Sequence, residues 1–277
     1  MESLLLAIVC SALVAVLLRV GSSRENSMYG RFTMNYFAAS LLALAVSAPE
    51  SGAWLPPAPI TIVLGIVQGA LYLGCFVLLQ SNIQRNGVIL SSTFSKLGVI
   101  VPILLSVVLF RELPSALQTA GVAAALAAII LLQGRRDDGP ARSRMVLLLL
   151  LLVSGVTDSL AKVFEQFGRM EQSSLFLVCT FVTALILSIG ITVYRKERIG
   201  RWEILMGCLV GLPNYASGYF LLGALDDLPG VLVYPSYSAG TILLVSLIGV
   251  LVFGERPQRR QWWGMGVVLL ALICLNI

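Results

Sequence analysis

The sequence predicts an all-helical integral membrane protein with ten transmembrane helices, arranged as two inverted repeats of five helices. Three observations support this fold class: the composition, the spacing of the apolar stretches, and a match between the two halves of the chain. Apolar residues make up 58% of the chain and charged residues 12%, whereas soluble domains have about 25% charged residues. This composition excludes a disordered chain and argues against a water-soluble globular protein. Since the chain has no histidine, an imidazole base and a His-ligated metal are also excluded.

The apolar stretches have the length of membrane spans. A helix that crosses the bilayer core needs about 20 mainly apolar residues. The stretches of this kind are residues 3–20, 31–48, 60–81, 87–110, 115–133, 144–164, 172–194, 203–223, 229–253 and 261–276. Short polar, Pro- or Gly-containing breaks separate them, and no break is long enough for a soluble domain. The longest, residues 135–143, is predicted as a cytoplasmic linker between a first repeat (1–134) and a second (144–277).

The two halves of the chain match without gaps at an offset of 143 residues. Matches between apolar residues carry little weight in such a composition, but polar, Pro and Gly matches at constant offset indicate an internal duplication. These matches are Ser11 with Ser154, Arg19 with Lys162, Tyr72 with Tyr215, Gly87 with Gly230, Ser95 with Ser238, Glu112 with Glu255, and Pro114 with Pro257. Because five helices is an odd number, the second copy must enter the membrane from the opposite side.

The distribution of basic residues predicts the orientation. Most of them flank the odd-numbered loops, namely Arg19, Arg24, Arg31, Arg85, Arg135, Arg136, Arg142, Arg144, Arg195, Lys196, Arg198, Arg201, Arg256, Arg259 and Arg260. The even-numbered loops hold only Arg111 and Arg169. By the positive-inside rule, the odd-numbered loops are cytoplasmic and both termini are extracytoplasmic. Inverted repeats of this kind are typical of secondary transporters.

Each half contains a similar segment that ends in a polar turn. The segments read GVILSSTFSKLGVIVPILLSVVLFRELP and GVLVYPSYSAGTILLVSLIGVLVFGERP. In these segments, and over its whole length, the chain resembles the EamA-like branch of the drug/metabolite transporter superfamily. Gly254-Glu255-Arg256 matches the turn usual in that family, whereas the first turn has Arg111 where Gly is usual. The resemblance implies ten helices in two inverted repeats, a central cavity, alternating access, and a bacterial inner membrane, but no particular substrate.

Two charged residues are predicted to lie at membrane depth. Lys96 is about 15 Å along its helix from the cytoplasmic edge at Asn86, near the middle of a core about 30 Å thick. An ammonium there costs at least about 2.5–3.5 kcal/mol, so we expect it to face water, a carboxylate or a substrate; a fixed structural ion pair is the alternative. Asp158 either lines the same cavity or pairs locally with Lys162, one turn further along its helix.

Further substrate-binding candidates are polar residues on the predicted cavity helices. They are Tyr72, Tyr215, Tyr219, Tyr234, Tyr237, Ser92, Ser95, Asn214 and Ser238. Tyrosine rings can pack against a ligand, donate a hydrogen bond or face a cation, although interhelical packing explains any single one equally well. Pro213 and Pro235 each remove a helix hydrogen bond, and broken helices are where such transporters bind substrate groups.

These features predict a secondary active transporter for a small polar metabolite, with an amino acid or similar zwitterion or anion favoured, coupled to a proton or to exchange. The alternatives are an exporter of amphipathic or quaternary cations and, further behind, a lipid-modifying membrane enzyme. No Walker A motif, phosphate loop or zinc signature occurs, which argues against ATP-driven transport by this chain. We expect no enzyme activity, cofactor or metal. The net charge of +5 needs no nucleic acid. The expected partners are the substrate and the bilayer, and a homodimer is left open.

Overall fold

The computed structural model describes residues 1–21, 27–47, 56–86, 88–133, 144–254 and 259–276. The predicted linker 135–143 lies outside this part of the chain. All regular secondary structure in the described ranges is helical, which confirms the all-helical fold class. The helices are α1 (Glu2–Gly21), α2 (Met28–Val46), α3 (Pro59–Asn86), α4 (Val88–Leu97), α5 (Ile100–Val108), α6 (Ala116–Gln133), α7 (Arg144–Phe167), α8 (Ser173–Tyr194), α9 (Arg201–Asp227), α10 (Gly230–Leu251) and α11 (Arg259–Asn276), with one 3-10 turn at Met170–Gln172.

Six helical segments are long and apolar enough to cross a membrane. They are α1, the part of α3 from Pro59 to Leu79, α7, α8 together with the preceding 3-10 turn, α9 and α10. Two shorter apolar segments, Phe94–Val108 and Ala116–Leu132, accompany them. In a bilayer, every backbone N–H and C=O must find a partner within the protein, which a helix provides. The described helices are therefore compatible with an integral membrane protein.

The predicted span 87–110 is interrupted at Gly98 and Val99, so that it forms two helices, α4 and α5. At the interruption, the N–H of Val99 donates to the carbonyl of Lys96, three residues back, at 3.3 Å. Pro102 explains the break, because proline has no N–H and its ring conflicts with the carbonyl four residues earlier, which belongs to Gly98. The helix therefore ends directly after Lys96 and Leu97.

The expected helix breaks at Pro213 and Pro235 are absent, and that expectation was wrong. Helices α9 and α10 both continue through their prolines. Pro235 lies in the second turn of α10. Only about one helical turn precedes it, so its missing hydrogen bond interrupts little of the helix. A proline within a helix can be accommodated by a bend without ending the helix.

The chain divides into two compact units, and each takes helices from both halves of the sequence. Unit 1 comprises Gly74–Lys162 and Ala224–Ile277 together with Met1, and unit 2 comprises Glu2–Leu73 and Val163–Gly223. In unit 1, α6 packs against α11, while α10 contacts α5, α6 and α11. In unit 2, α2 packs against α8.

Glycines allow close helix contacts within each unit. In unit 2, a Cβ atom at Gly65 of α3 would lie 2.5 Å from Cβ of Cys179 on α8. In unit 1, a Cβ atom at Gly98 would lie 2.9 Å from the backbone nitrogen of Gly155 on α7. Small residues at such contacts are typical of membrane helices, because they let backbones approach closely. The break between α4 and α5 is therefore held directly against α7.

Candidate functional site

A chain of hydrogen-bonding side chains joins three helices of unit 1. The Ser154 hydroxyl of α7 lies 3.2 Å from the thiol of Cys75 on α3 and 3.1 Å from the hydroxyl of Ser95 on α4. Ser154 is buried, and the other two are half-buried. We call these three residues the hydroxyl–thiol chain. It provides hydrogen-bond donors and acceptors among otherwise apolar helices.

Lys96 and Asp158 adjoin the hydroxyl–thiol chain. Lys96 follows Ser95 directly, and Asp158 lies one turn after Ser154, on the same face of α7. The charges of Lys96 and Asp158 interact electrostatically, and both also act on the thiol of Cys75. Both charged side chains are exposed, and among the ion pairs of the described residues none joins them directly. We call Lys96, Asp158 and the hydroxyl–thiol chain the charged cluster.

The helix break and a glycine contact position this cluster. Gly98, where α4 ends, lies against Gly155, which follows Ser154 in α7. Neither position has room for a side chain, since a Cβ atom at Gly155 would lie 2.5 Å from the carbonyl oxygen of Gly98. The close backbone approach thus brings Ser95 to Ser154. It places the charge of Lys96 at the end of α4.

Tyr234 connects α10 to the same part of α7. Its hydroxyl donates to the backbone carbonyl of Asp158 at 2.9 Å, and its side chain is buried. This bond fixes the backbone from which the Asp158 carboxylate extends. Tyr234, one of the predicted site residues on α10, therefore contacts the backbone of the charged cluster. Tyr237 is half-buried and Ser238 is buried on the same helix.

Lys162 takes a different partner from the one that the sequence offered. Its ammonium lies 2.6 Å from Oε1 of Glu112, in the turn after α5. The alternative local pair with Asp158 is therefore not the arrangement found. The sequence did not single out Glu112 as a partner for a buried lysine. The match of Glu112 with Glu255 could have pointed to it, because the same acidic residue occurs at the equivalent position of both halves.

Unit 2 contains a row of aromatic rings that brings three predicted tyrosines together. Ring centroids are 6.3 Å apart for Tyr72 and Phe181, 6.0 Å for Phe181 and Tyr215, and 6.1 Å for Tyr215 and Tyr219. We call these four residues the aromatic row. The buried hydroxyl of Tyr215 has no hydrogen-bond partner among the described residues. Phe181 was not predicted, because a Phe within an apolar helix carries no signal of its own.

Of the remaining candidates, Asn214 forms a hydrogen bond between two helices of unit 2. Asn214 donates to the side-chain oxygen of Asn35 at 3.1 Å, so it joins α9 to α2 in unit 2. An interhelical hydrogen bond of this kind stabilises helix packing in membranes. The side chain of Ser92 lies outside the described part of the structure. Within the residues that the structure describes, no group of three or more His, Cys, Asp or Glu could hold a metal.

Comparisons with known proteins agree with the fold and add no functional name. No protein-family model matches the chain. A Haemophilus influenzae protein, described as an uncharacterized protein, is 24% identical over 289 residues, which covers 99% of this chain and 97% of that protein. A crystal structure described without a functional name has a TM-score of 0.81 at 16% identity, with 100% of this chain and 99% of the other covered. The chain therefore shares its fold with a solved structure over its whole length.

Proposed function

We propose that the protein is a secondary active transporter that carries an amino acid or a similar zwitterion or anion across the membrane by alternating access. The observation that carries this proposal is the pair Lys96 and Asp158, two accessible opposite charges that interact without direct contact. Charges among membrane-spanning helices are costly and typically mark a substrate or ion pathway. A bound zwitterion would neutralise both, with its carboxylate at Lys96 and its ammonium at Asp158.

The surroundings of these charges suit such a ligand. The hydroxyl–thiol chain lies beside both charges and offers hydrogen bonds to a carboxylate or an ammonium. The break after Lys96 supports the proposal further, because discontinuous helices bind substrate in many secondary transporters. An anion would use Lys96 alone, and its affinity would then depend less on Asp158. The loss of affinity in the Asp158 variant, compared with that in the Lys96 variant, therefore distinguishes a zwitterion from an anion.

The architecture supports a transporter as well. Counting α4 and α5 as one interrupted helix gives ten helices among the described residues, which is the number that the proposed ten-span fold requires; α6 and α11, the fifth and tenth, pack together. Arg111 and Gly254, which correspond at the offset of 143, both have a positive φ, of 56° and 65°. Equivalent turns with equivalent backbone conformation support a duplication. Together with the charge distribution, they favour inverted repeats and extracytoplasmic termini, and we propose a bacterial inner membrane as the location.

Uptake by purified protein in liposomes tests the proposal. A mixed set of labelled amino acids, organic anions, sugars and quaternary ammonium compounds would be offered, with and without a pH gradient. We expect uptake of a zwitterion or anion, and a loss of at least about tenfold in Lys96→Ala and Asp158→Asn, the scale of one lost charged contact. Glu165→Gln is the matched control, because Glu165 lies on α7 and its carboxylate hydrogen-bonds the neighbouring Gln166.

Two results would contradict the proposal. Full uptake by Lys96→Ala would remove this lysine from the mechanism. Hydrolysis or group transfer on a lipid, without uptake of any solute, would instead support a membrane enzyme. Stimulation of uptake by the pH gradient would assign the proton as the coupling ion, whereas stimulation by unlabelled substrate on the opposite side would assign exchange.

The aromatic row favours one second candidate, an exporter of amphipathic cations. Aromatic faces attract quaternary ammonium groups, and the Tyr215 hydroxyl is available for a ligand. The same set of variants separates the two functions. Lys96→Ala should reduce transport of a zwitterion or anion at least about tenfold, whereas a quaternary cation bound by the aromatic row needs no positive charge for its transport.

A further inference from the structure

The ion pair of Glu112 and Lys162 is built into a junction of three elements of unit 1. Lys162 lies near the end of α7 and is 2% exposed, and Glu112 belongs to the turn between α5 and α6. The other carboxylate oxygen of Glu112 accepts a hydrogen bond from the N–H of Val231, in the first turn of α10, at 3.2 Å. One carboxylate thus joins the α5–α6 turn to α7 and to the N-terminus of α10, where the helix dipole also favours a negative charge.

The junction is closely packed around the pair. A Cβ atom at Gly230, the first residue of α10, would lie 2.5 Å from the Ser106 hydroxyl and 3.3 Å from the Lys162 side chain. The Lys162 ammonium also lies 5.9 Å from the ring centroid of Phe110, within range of a cation–π interaction. A side chain at Gly230 would displace the Ser106 hydroxyl and crowd Lys162, so the pair lies in a closely packed site.

The junction lies on the same two helices that form the charged cluster. On α7, Lys162 is one turn after Asp158. On α10, Val231 is almost one turn before Tyr234, whose hydroxyl holds the Asp158 carbonyl. A movement that separates α10 from α7 at the junction would therefore act directly on the backbone that carries Asp158.

We propose that the Glu112–Lys162 pair is a releasable latch that closes the charged cluster toward the membrane face of the α5–α6 turn. The proposal rests on the transport function proposed above. A buried ion pair suits a latch, because a partly separated pair leaves unpaired charges in a low-dielectric site. Such a junction has two discrete states, closed with the pair made or open with both charges hydrated. At the offset of 143, the sequence repeats the acid at Glu255 and the base at Arg19.

The native thiol of Cys75 can report the state of the latch, because it belongs to the charged cluster. The experiment uses a variant that keeps Cys75 and replaces Cys10, Cys179, Cys208 and Cys274 by alanine. A membrane-impermeant thiol reagent is added to one face at a time, on intact cells and on inverted vesicles. The rate of Cys75 labelling from each face is then compared for the intact pair, Lys162→Gln and Glu112→Gln, with Glu165→Gln as the control on α7.

In Lys162→Gln and Glu112→Gln, we expect Cys75 to be labelled at least about fivefold faster from the face of the α5–α6 turn. A change of this size is typical of an allosteric coupling between two sites. Labelling from the opposite face should not increase, and Glu165→Gln should behave like the intact pair. Lys162→Arg keeps the positive charge, so its Cys75 should be labelled as slowly as in the protein with the intact pair. Should Lys162→Gln or Glu112→Gln fail to fold, Lys162→Arg and Glu112→Asp provide a graded series in folded protein.

Unchanged labelling, an absence of labelling in all variants, or an equal increase from both faces would overturn the latch. An equal increase would identify the pair as a structural contact whose loss loosens the fold. The assay needs no substrate, so its result is separate from the transport test. Faster labelling from one face only, in a protein that transports no solute, would support the latch and contradict the proposed transport function.

Discussion

Corresponding segments of the two halves of the chain fold differently. Residues 88–110 contain the break after Lys96, whereas residues 230–253 contain the continuous helix α10, Gly230–Leu251. The residue that matches Lys96 at the offset of 143 is Ala239, which is completely buried. One copy therefore presents an exposed charge at a helix end, while the other packs a small apolar residue within a helix. The comparison shows that two segments of matching sequence adopt different structures, one interrupted beside an exposed charge and one continuous and closely packed.

The position of proline accounts for this difference. Pro102 follows Gly98 by four residues, so its missing N–H and its ring act on the carbonyl of a residue without Cβ. Pro235 lies in the second turn of α10, where the helix continues. A proline in the middle of a span, at helical spacing from a glycine, is thus more disruptive in this protein than one near a helix start. Substitutions at both kinds of position test this contrast.

The largest effect is expected at the glycine contact. Gly98→Val would place side-chain atoms against the backbone of α7, where Gly155 lies 2.9 Å from a built Cβ atom. We expect a loss of about 3 kcal/mol of unfolding free energy, at the upper end for overpacking. Thermal unfolding in detergent measures it. Gly74→Ala is the control, because a Cβ atom there would have no described atom within 4 Å apart from its chain neighbours and its own helix backbone. Equal stability of the two variants would show that the contact does not hold the break.

A smaller effect, on binding rather than stability, is expected for Pro102→Ala. The restored N–H allows the helix to continue through Gly98, which would move Lys96 away from Asp158. Substrate affinity should fall by about tenfold, or about 1.4 kcal/mol, without a loss of thermal stability. Pro235→Ala should change affinity much less, since α10 is already continuous. The comparison fails if both proline variants bind substrate as the wild type does.

Tyr234→Phe tests how α10 supports the cluster. Removing the hydroxyl leaves the Asp158 carbonyl without this donor, and a lost hydrogen bond typically costs about 1 kcal/mol. The unfolding midpoint should fall accordingly. Tyr219→Phe is the matched control, because Tyr219 is 41% exposed and its change should stay within about 0.5 kcal/mol. An equal response would mean that the bond to Asp158 contributes nothing measurable.

The smallest effect concerns the two equivalent turns. Arg111 has a φ of 56°, in the left-handed region that disfavours side chains, and Gly254 has a φ of 65°. Arg111→Gly should raise stability by up to about 1 kcal/mol, and Gly254→Ala should lower it by about as much. Unfolding midpoints of both variants provide the check. A destabilised Arg111→Gly would indicate that contacts of the arginine outweigh its backbone strain.

The fold class was predictable from the sequence because hydropathy and span length directly reflect the bilayer. The break in the fourth span was not predicted, since neither Pro102 nor Gly98 stands out by itself in an apolar run. Within the site, Lys96, Asp158 and Ser95 were predicted because polar residues in apolar spans stand out. Cys75 was not, because a cysteine in an apolar run is compatible with simple burial. Which residues meet across helices depends on packing geometry, and a single sequence does not contain it.

The same limit explains the outcome for Asp158 and Lys162. Their spacing of four residues indicated a local pair as readily as a cavity role. The structure instead joins Lys162 to Glu112, a residue 50 positions earlier, at 2.6 Å. Contacts between residues far apart in the chain are set by how the helices pack, so the sequence could offer the alternatives without deciding between them.

Binding of an amino acid and of its two singly charged analogues tests whether Lys96 and Asp158 hold the two charged groups of the substrate. The analogues are its amide, which lacks the negative charge, and its deaminated acid, which lacks the positive charge. The wild type should prefer the zwitterion over both. Lys96→Gln should lose the preference over the amide, and Asp158→Asn should lose the preference over the acid. If both variants keep both preferences, Lys96 and Asp158 do not bind the substrate, and their proposed role in transport is contradicted.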